Sequence, residues 1–244
     1  MVQWFSLLYM HSVRRVLYFL DVALLWWKYR HNRGRAHMLN KALDFCRCNN
    51  VEGDYFEFGV FQGAMCEYAH KASRLRGRPN MQVFAFDSFE GFSEPQGADD
   101  IGILKKGGRT CSLEQFQTNM RMAGVEEKDI TAIPGFFEET LQGPKKEDTI
   151  QKIGNRKAAI VYVDCDLYEP ARDVLAFIRP YLVDGSIVVF DNWFLFKGSP
   201  FRGERKACAE WLTTHPDIVV SQFHKFGWHG ESFIVSIPSS HDAH

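Results

Sequence analysis

The chain has 244 residues, is 45% hydrophobic and carries a formal charge of −1. That length falls in the range of one large α/β domain with one substantial core. The near-neutral charge, with no zinc-finger or RNA-reading pattern, excludes nucleic acid as an expected partner. Six cysteines (Cys46, Cys48, Cys66, Cys111, Cys165, Cys208) lack metal-ligand spacing and mostly lie in hydrophobic runs, so they read as reduced thiols of a cytosolic protein.

Residues 1–35 carry six basic side chains (Arg14, Arg15, Lys28, Arg30, Arg33, Arg35) against one acid, Asp21, so the charge is concentrated at this end. Between Arg15 and Lys28 runs VLYFLDVALLWW, shorter than the roughly 20 residues a spanning helix needs. Trp26, Trp27, Lys28 and Tyr29 stand where a secretory signal would place small residues. A helix packed on the domain or on a second subunit is the preferred reading. The alternative is a membrane-surface anchor, giving peripheral membrane contact through residues 1–35.

The spacing of Met38, Leu39, Ala42, Leu43 and Cys46 predicts an amphipathic helix over 36–48, ended by Asn49, Asn50 and Gly53. A strand at 55–58, a glycine turn at 59–63, a helix at 64–75 and a strand at 82–86 form a βαβ unit. A long glycine-rich segment from Phe89 to Thr110 reads as a lid or loop. The alternation resumes with a helix at 113–123, strands at 130–133 and 158–163, a helix at 170–182 and a strand at 186–190. A helix at 204–213 precedes strands at 218–225 and 232–237, whose short connection makes an antiparallel hairpin. The segmentation is N-terminal helices over 1–50, one domain over 51–238 and a disordered tail over 239–244.

Two constellations carry chemistry. The run Glu57-Phe58-Gly59-Val60-Phe61-Gln62-Gly63 leaves a strand and opens a helix, with glycines where backbone turns and approaches a ligand. Its E-x-G-x-x-x-G spacing lacks the third glycine of the dinucleotide fingerprint, so a nucleotide cofactor without a pyrophosphate fits better. Glu57 would orient the amino-acid end of that cofactor, while Asp87, followed by Ser88 at the end of the next strand, would hold two ribose hydroxyls. Gly135 and Phe136, after the third strand, could face an adenine ring or simply pack. The second constellation is VYVDCDLYEP and VVFDNW, which bring Asp164, Asp191 and Asn192 to the carboxyl edge of a parallel sheet. Three oxygen ligands there suit a hard cation such as Mg²⁺. The alternative is that Asp191 and Asn192 only end a strand and start a turn. Glu169 is expected to cap the following helix, with Asp166 in support.

The motifs GDYFEFGVFQGAM, FAFDSFEGFSEP, AIPGFFEETL, VYVDCDLYEP and VVFDNW, in this order from about Gly53 to Trp193, resemble the macrocin O-methyltransferase family (TylF/MycF type). The resemblance implies a Rossmann-like, seven-stranded, mostly parallel α/β sheet with a C-terminal antiparallel hairpin, helices on both faces and extra N-terminal helices. It implies S-adenosylmethionine as cofactor, with Glu57, Gly59, Gly63, Asp87, Ser88, Gly135 and Phe136 around it. It also implies Mg²⁺ held by Asp164, Asp191 and Asn192, and methylation of a hydroxyl on a sugar or related small molecule, with Asp164 taking the proton. The family's usual fifth-strand pair is Asp-Asp, so Asn192 departs from it and is similar to the Asp-Asn pair of catechol-type enzymes. Leu167 stands where those enzymes place a lysine base, so no lysine mechanism is implied. A homodimer is expected from the apolar N-terminal helix and family analogy. The rival readings are a catalytically silent cofactor-binding or membrane-associated scaffold, and a nicotinamide oxidoreductase, which the missing third glycine and the terminal hairpin disfavour.

Overall fold

A computed structural model of the chain describes residues 32–93, 99 and 106–238. The hydrophobic segment before residue 32, the tail after residue 238 and the middle of the glycine-rich loop lie outside the described residues. The expectations of an N-terminal anchor, a homodimer through that segment and a disordered tail therefore fall there too. Among the described residues no helix is long and apolar enough to cross a membrane.

In chain order the elements are α1 (Arg33–Cys48), β1 (Asp54–Phe58), α2 (Ala64–Leu75), β2 (Val83–Asp87), α3 (Leu113–Met122), β3 (Ile130–Pro134), α4 (Phe137–Thr140), α5 (Lys146–Ile153), β4 (Ala158–Val163), α6 (Tyr168–Ile178), β5 (Leu182–Phe190), α7 (Gly203–Thr214), β6 (Val219–Phe226) and β7 (Gly230–Ser236). They build one seven-stranded sheet of order β3-β2-β1-β4-β5-β7-β6. Strands β1 to β5 pair in parallel, and β7 runs antiparallel to both β5 and β6. The parallel sheet, the terminal hairpin and the helical coverage of both faces are as the sequence predicts. The order reverses between β1 and β4, the point where ligands settle at the carboxyl edge of an open α/β sheet.

Two-residue alternation along the strands sorts their side chains between two cores. Tyr55, Val83, Ala85, Ile160, Tyr162, Ile187 and Val189 face α1, α2 and α3, meeting Met38, Leu39, Leu43, Met65, Tyr68, Phe116 and Met120. Phe56, Phe58, Phe84, Phe86, Val161, Val163, Val188 and Phe190 face the other layer, meeting Val174, Phe177, Cys208 and Trp211. Helix α1 shares the first core with the sheet. All six cysteines are unpaired and five are buried.

Three local differences have physical reasons. The helix read as 170–182 runs from Tyr168 to Ile178 and tightens into a 3₁₀ turn over Arg179–Tyr181, because Pro180 has no N–H to continue the ladder. Strand β5 starts four residues earlier than read, at Leu182, beyond a register shift opposite Ala158 and Ile160. The short helices α4 and α5 fill a stretch whose apolar residues are too few to display helical periodicity.

The aromatic packing between β1 and β2 supplies much of the second core. Phe58 and Phe86 stack at 4.2 Å and 17°, and Phe86 also meets Phe56 and Phe177. Truncation of Phe86, which has no exposed surface, should leave a cavity that the sheet cannot close. A Phe86→Ala variant is expected to lose about 3–5 kcal/mol of unfolding free energy in a urea titration; a loss below about 1 kcal/mol would show that the layer collapses around the void.

Candidate active site

The same alternation decides what stands at the carboxyl edge. Glu57 follows Tyr55, Asp164 follows Tyr162 and Asp191 follows Val189 at two-residue spacing, so all three are directed to the face covered by α1 and α2. A cavity of about 490 Å³ opens there, and its wall includes Glu57, Gly59, Asp87, Ser88, Phe136 and Asp164.

Glu57 is almost wholly buried. Its Oε2 accepts the Tyr55 hydroxyl at 2.9 Å and the Cys66 thiol at 3.0 Å. Burial is the largest influence and pushes its carboxyl up to about 7, partly offset by those two donors and by the positive charge of Arg35. Asp87 pins the glycine turn: its Oδ2 accepts from the backbone N–H of Val60 at 2.8 Å and Phe61 at 3.0 Å, and its Oδ1 from Phe89 at 2.8 Å. The Ser88 hydroxyl donates to the Gly91 carbonyl at 2.7 Å, closing the turn after β2.

The two glycines of the turn act differently. Gly59 has φ +91, and a Cβ there would stand 2.1 Å from the Asp164 carbonyl oxygen, so only glycine lets the β1 turn pass against the β4 turn. Gly63 (φ +84) faces away from the cavity, and a Cβ would strike Phe116 and Met120 of α3. It serves helix packing. Gly135 is likewise absent from the cavity wall and donates its N–H to the Asp87 carbonyl at 3.0 Å, whereas Phe136 beside it reaches the cavity.

The acidic constellation is brought together, with a cation already inside it. Asp191 has no exposed surface. Its Oδ1 accepts from Arg35 Nε at 2.8 Å and from the Tyr162 hydroxyl at 2.5 Å, and its Oδ2 accepts from Arg35 Nη2. The same Nη2 lies 3.8 Å from Asp164 Oδ2, and Asn192 Nδ2 donates to Asp164 Oδ1 at 3.1 Å. His229 Nδ1 meets the Asp191 carbonyl at 2.6 Å. Burial, then the charges of Asp191 and Asp166, hold the Asp164 carboxyl well above the usual range, against the pull of Arg35. Asp166, at φ +60, is pushed up to about 6, by burial first, with Arg109 drawing it the other way. Strained residues of this kind collect at functional sites.

The expected Mg²⁺ set does not fit this arrangement. Three of the roughly four acceptor positions of Asp191 are taken by Arg35 and Tyr162, Asn192 presents its amide N–H rather than its oxygen to Asp164, and a guanidinium spans the gap that a bridging ion would fill. Among the described residues no group of three or more His, Cys, Asp or Glu side chains is arranged to hold a metal ion.

Four residues of this edge escape sequence reasoning. Arg35 sits 156 positions from its partner Asp191, inside a segment read as a basic N-terminus. Tyr162 looks like strand core. Glu204 is buried on α7 and accepts from the Asn192 N–H at 2.9 Å and, more weakly, the Cys165 N–H at 3.4 Å, tying the two acidic turns together. Asp99 takes the capping role assigned to Glu169: it accepts the Tyr168 N–H at 2.7 Å and the Gly203 N–H at 3.2 Å. Leu167, the residue before α6, makes no side-chain cap.

The strand order, the hairpin and a cavity bounded by Glu57, Asp87 and Asp164 define a Rossmann-like fold of the O-methyltransferase type. Its solved neighbours agree: the O-methyltransferase NovP superposes with a TM-score of 0.69 at 22% identity over 84% of this chain and 80% of that one. An O-methyltransferase from Bacillus cereus, solved with S-adenosylhomocysteine, gives 0.54 at 10% over 88% and 90%. The profile described as Macrocin-O-methyltransferase (TylF) matches residues 31–215, and the chain belongs to that family. Among curated relatives, the 8-demethyl-8-(2,3-dimethoxy-alpha-L-rhamnosyl)-tetracenomycin-C 4'-O-methyltransferase of Streptomyces olivaceus is 28% identical over 65% of this chain and 60% of its own length. The mycinamicin III 3''-O-methyltransferase of Micromonospora griseorubida is 24% identical over 65% and 62%. The match thus spans a little under two thirds of these relatives.

The raised Glu57 carboxyl has a signed consequence. Between its ordinary value of 4.5 and about 7, the folded chain holds a proton that the unfolded chain has released. Stability from the neutral form is therefore full below the unfolded value and is lost as pH rises through the folded one. Relative to Glu57→Gln, the wild type should lose about 2–3 kcal/mol between about pH 4.5 and about pH 8 in denaturant titrations. Parallel curves for the two proteins would mean that Glu57 is ionised throughout.

Proposed function

We propose that this protein transfers the methyl group of S-adenosylmethionine to a hydroxyl of a sugar or sugar-bearing small molecule. The observation that carries the reading is one cavity whose wall holds Glu57, Gly59, Asp87, Ser88 and Phe136 together with Asp164 and a set of polar side chains, Asn32, Arg109, Asp166, Glu169 and Asp173. A hydroxyl-bearing acceptor matches those hydrogen-bonding groups. The curated relatives named above are methyltransferases of a rhamnosyl tetracenomycin and of mycinamicin III.

The cofactor set fits its ligand by chemistry. The buried Glu57 carboxyl would meet an ammonium group, and Asp87, which fixes the loop through three backbone N–H groups, keeps one acceptor position on Oδ1 for a ribose hydroxyl. Phe136 offers a flat face to the adenine. Gly59 sets the approach of this turn to the acidic edge, Gly63 and Gly135 hold the flanking backbone, and Ser88 closes the turn. When bound, S-adenosylmethionine supplies a methyl on a sulfonium, whose C–S bond breaks as the O–C bond forms and leaves a neutral thioether. The protein then has to align the acceptor oxygen and remove its proton. Alignment of two bound reactants is worth on the order of 7–11 kcal/mol. Asp164 faces the cavity with a quarter of its side chain exposed, and its raised proton affinity makes it a better acceptor for the hydroxyl proton than an ordinary aspartate. No step is routed through a metal ion.

Incubation with methyl-labelled S-adenosylmethionine and a panel of rhamnosylated, other glycosylated and phenolic acceptors tests the proposal. Label should move to sugar hydroxyls. Transfer to phenols alone would overturn the sugar reading, and cofactor binding without any transfer would favour the scaffold. Asp164→Asn should lower turnover by about 10²- to 10⁴-fold while leaving S-adenosylhomocysteine affinity within about threefold. Retention of turnover would remove Asp164 as the proton acceptor.

A further inference from the structure

The guanidinium of Arg35 occupies the position from which a cation would bridge Asp191 and Asp164: it binds Asp191 through Nε and Nη2, and the same Nη2 lies 3.8 Å from Asp164 Oδ2. We propose that Arg35 is the built-in cation of this site, that the acid pair is an arginine site and not a divalent-metal site, and that methyl transfer here proceeds without Mg²⁺. The proposal rests on the methyltransferase reading for its reaction, but the geometry of the cation site stands independently of the acceptor.

Three of the roughly four acceptor positions of Asp191 are already taken. Two donors fill Oδ1, a third fills Oδ2, and His229 Nδ1 stands 3.5 Å from the latter. The planar fork of arginine matches a carboxylate in two parallel hydrogen bonds, which makes this pairing stronger than a single contact. The guanidinium is delivered from a fixed backbone. It leaves the first turn of α1, whose Ala36, Met38 and Leu39 are buried, and Gly34 packs so closely on the β6–β7 turn that a Cβ would lie 3.0 Å from Gly227 N. Withdrawal of Arg35 would strand a fully buried carboxylate.

Asn192 belongs to the same design. The amide turns its N–H side, not its oxygen, to Asp164 Oδ1. Of the five N–H groups of a guanidinium, two are spent on Asp191. The side chain is partly exposed and lines the cavity beside Asp164, so further N–H groups remain for the acceptor oxygen. In the transfer step the methyl C–S bond breaks, the O–CH₃ bond forms, the hydroxyl proton passes to Asp164, and Arg35 donates a hydrogen bond to the oxygen without exchanging a proton.

Mn²⁺ titrated into the full chain with S-adenosylhomocysteine present, read by the loss of the free-ion paramagnetic resonance signal, tests this. Wild type is expected to bind no more Mn²⁺ than Asp191→Asn does. Arg35→Ala combined with Asn192→Asp should gain a Mn²⁺ site at least about tenfold tighter, and wild-type turnover on any acceptor found should be equal with EDTA and with Mg²⁺. Stoichiometric Mn²⁺ bound by wild type and lost in Asp191→Asn would overturn the proposal, as would a folded double variant that gains no site. Should Asp191→Asn fail to fold, Asp164→Asn, at a partly exposed position, replaces it in the comparison. Binding of S-adenosylhomocysteine in the same samples reports separately on the methyltransferase reading, whose failure would leave the Mn²⁺ result intact.

Discussion

Asp191 has no contact with solvent, and a carboxylate so placed is tolerable only if donors replace its water. Removal of one partner from a buried ion pair costs about 3–5 kcal/mol, more than most single core contacts contribute. The chain meets this demand from two directions, with Arg35 arriving from α1 and Tyr162 from β4, while His229 of the β6–β7 turn meets the main-chain carbonyl of the same residue. The N-terminal helix, the centre of the sheet and its terminal hairpin are thereby bound to one residue. The active-site edge inherits its rigidity from that convergence. A site held by strand ends and a helix turn keeps its geometry better than one carried on loops alone.

The turns after β1 and β4 are joined by close backbone packing rather than by charge. A Cβ on Gly59 would stand 2.1 Å from the Asp164 carbonyl oxygen, and the Asp164 N–H donates to the Phe58 carbonyl at 2.9 Å, which ties the turn after β1 to the turn after β4. Asp87, through the N–H groups of Val60 and Phe61, fixes the other side of the turn after β1. Glu204 plays the matching part beneath the acids by accepting from the backbone after both β4 and β5. In the proposed reaction the distance between the methyl donor and Asp164 would therefore be set by backbone contacts, which is where a reaction that depends on alignment needs its precision.

Much of this was legible in the sequence because it follows from periodicity. Alternating strands and amphipathic helices announced the sheet, and the four residues Gly227, Trp228, His229 and Gly230 between two β runs announced the hairpin. The carboxylates at strand ends were legible too, since a strand has only one carboxyl end. What stayed hidden were partners supplied from far along the chain. Arg35 reads as one of six basic residues near the N-terminus, and nothing local marks it as the partner of Asp191. Asp99 reads as loop, although it caps α6 and reaches α7. Gly63 matched a cofactor motif by spacing alone. Its place is set by the bulk of Phe116 and Met120, which a motif does not encode.

The alternation rule nevertheless contained the clue to Arg35. Glu57, Asp164 and Asp191 share the parity of Tyr55, Tyr162 and Val189, so whatever covered that face had to meet three acids at its edge. A helix packed there presents either its own N-terminal dipole, a cation, or both. Helix α1 begins at Arg33, carries no acid in its first turn and places Arg35 among the acids. A covering helix without that arginine would leave Asp191 to a metal or to protonation. The identity of the cation in such a site is thus decided by the element that covers the sheet as much as by the motif on the sheet itself. Two chains with the same acidic strand ends can accordingly differ in the ion they require.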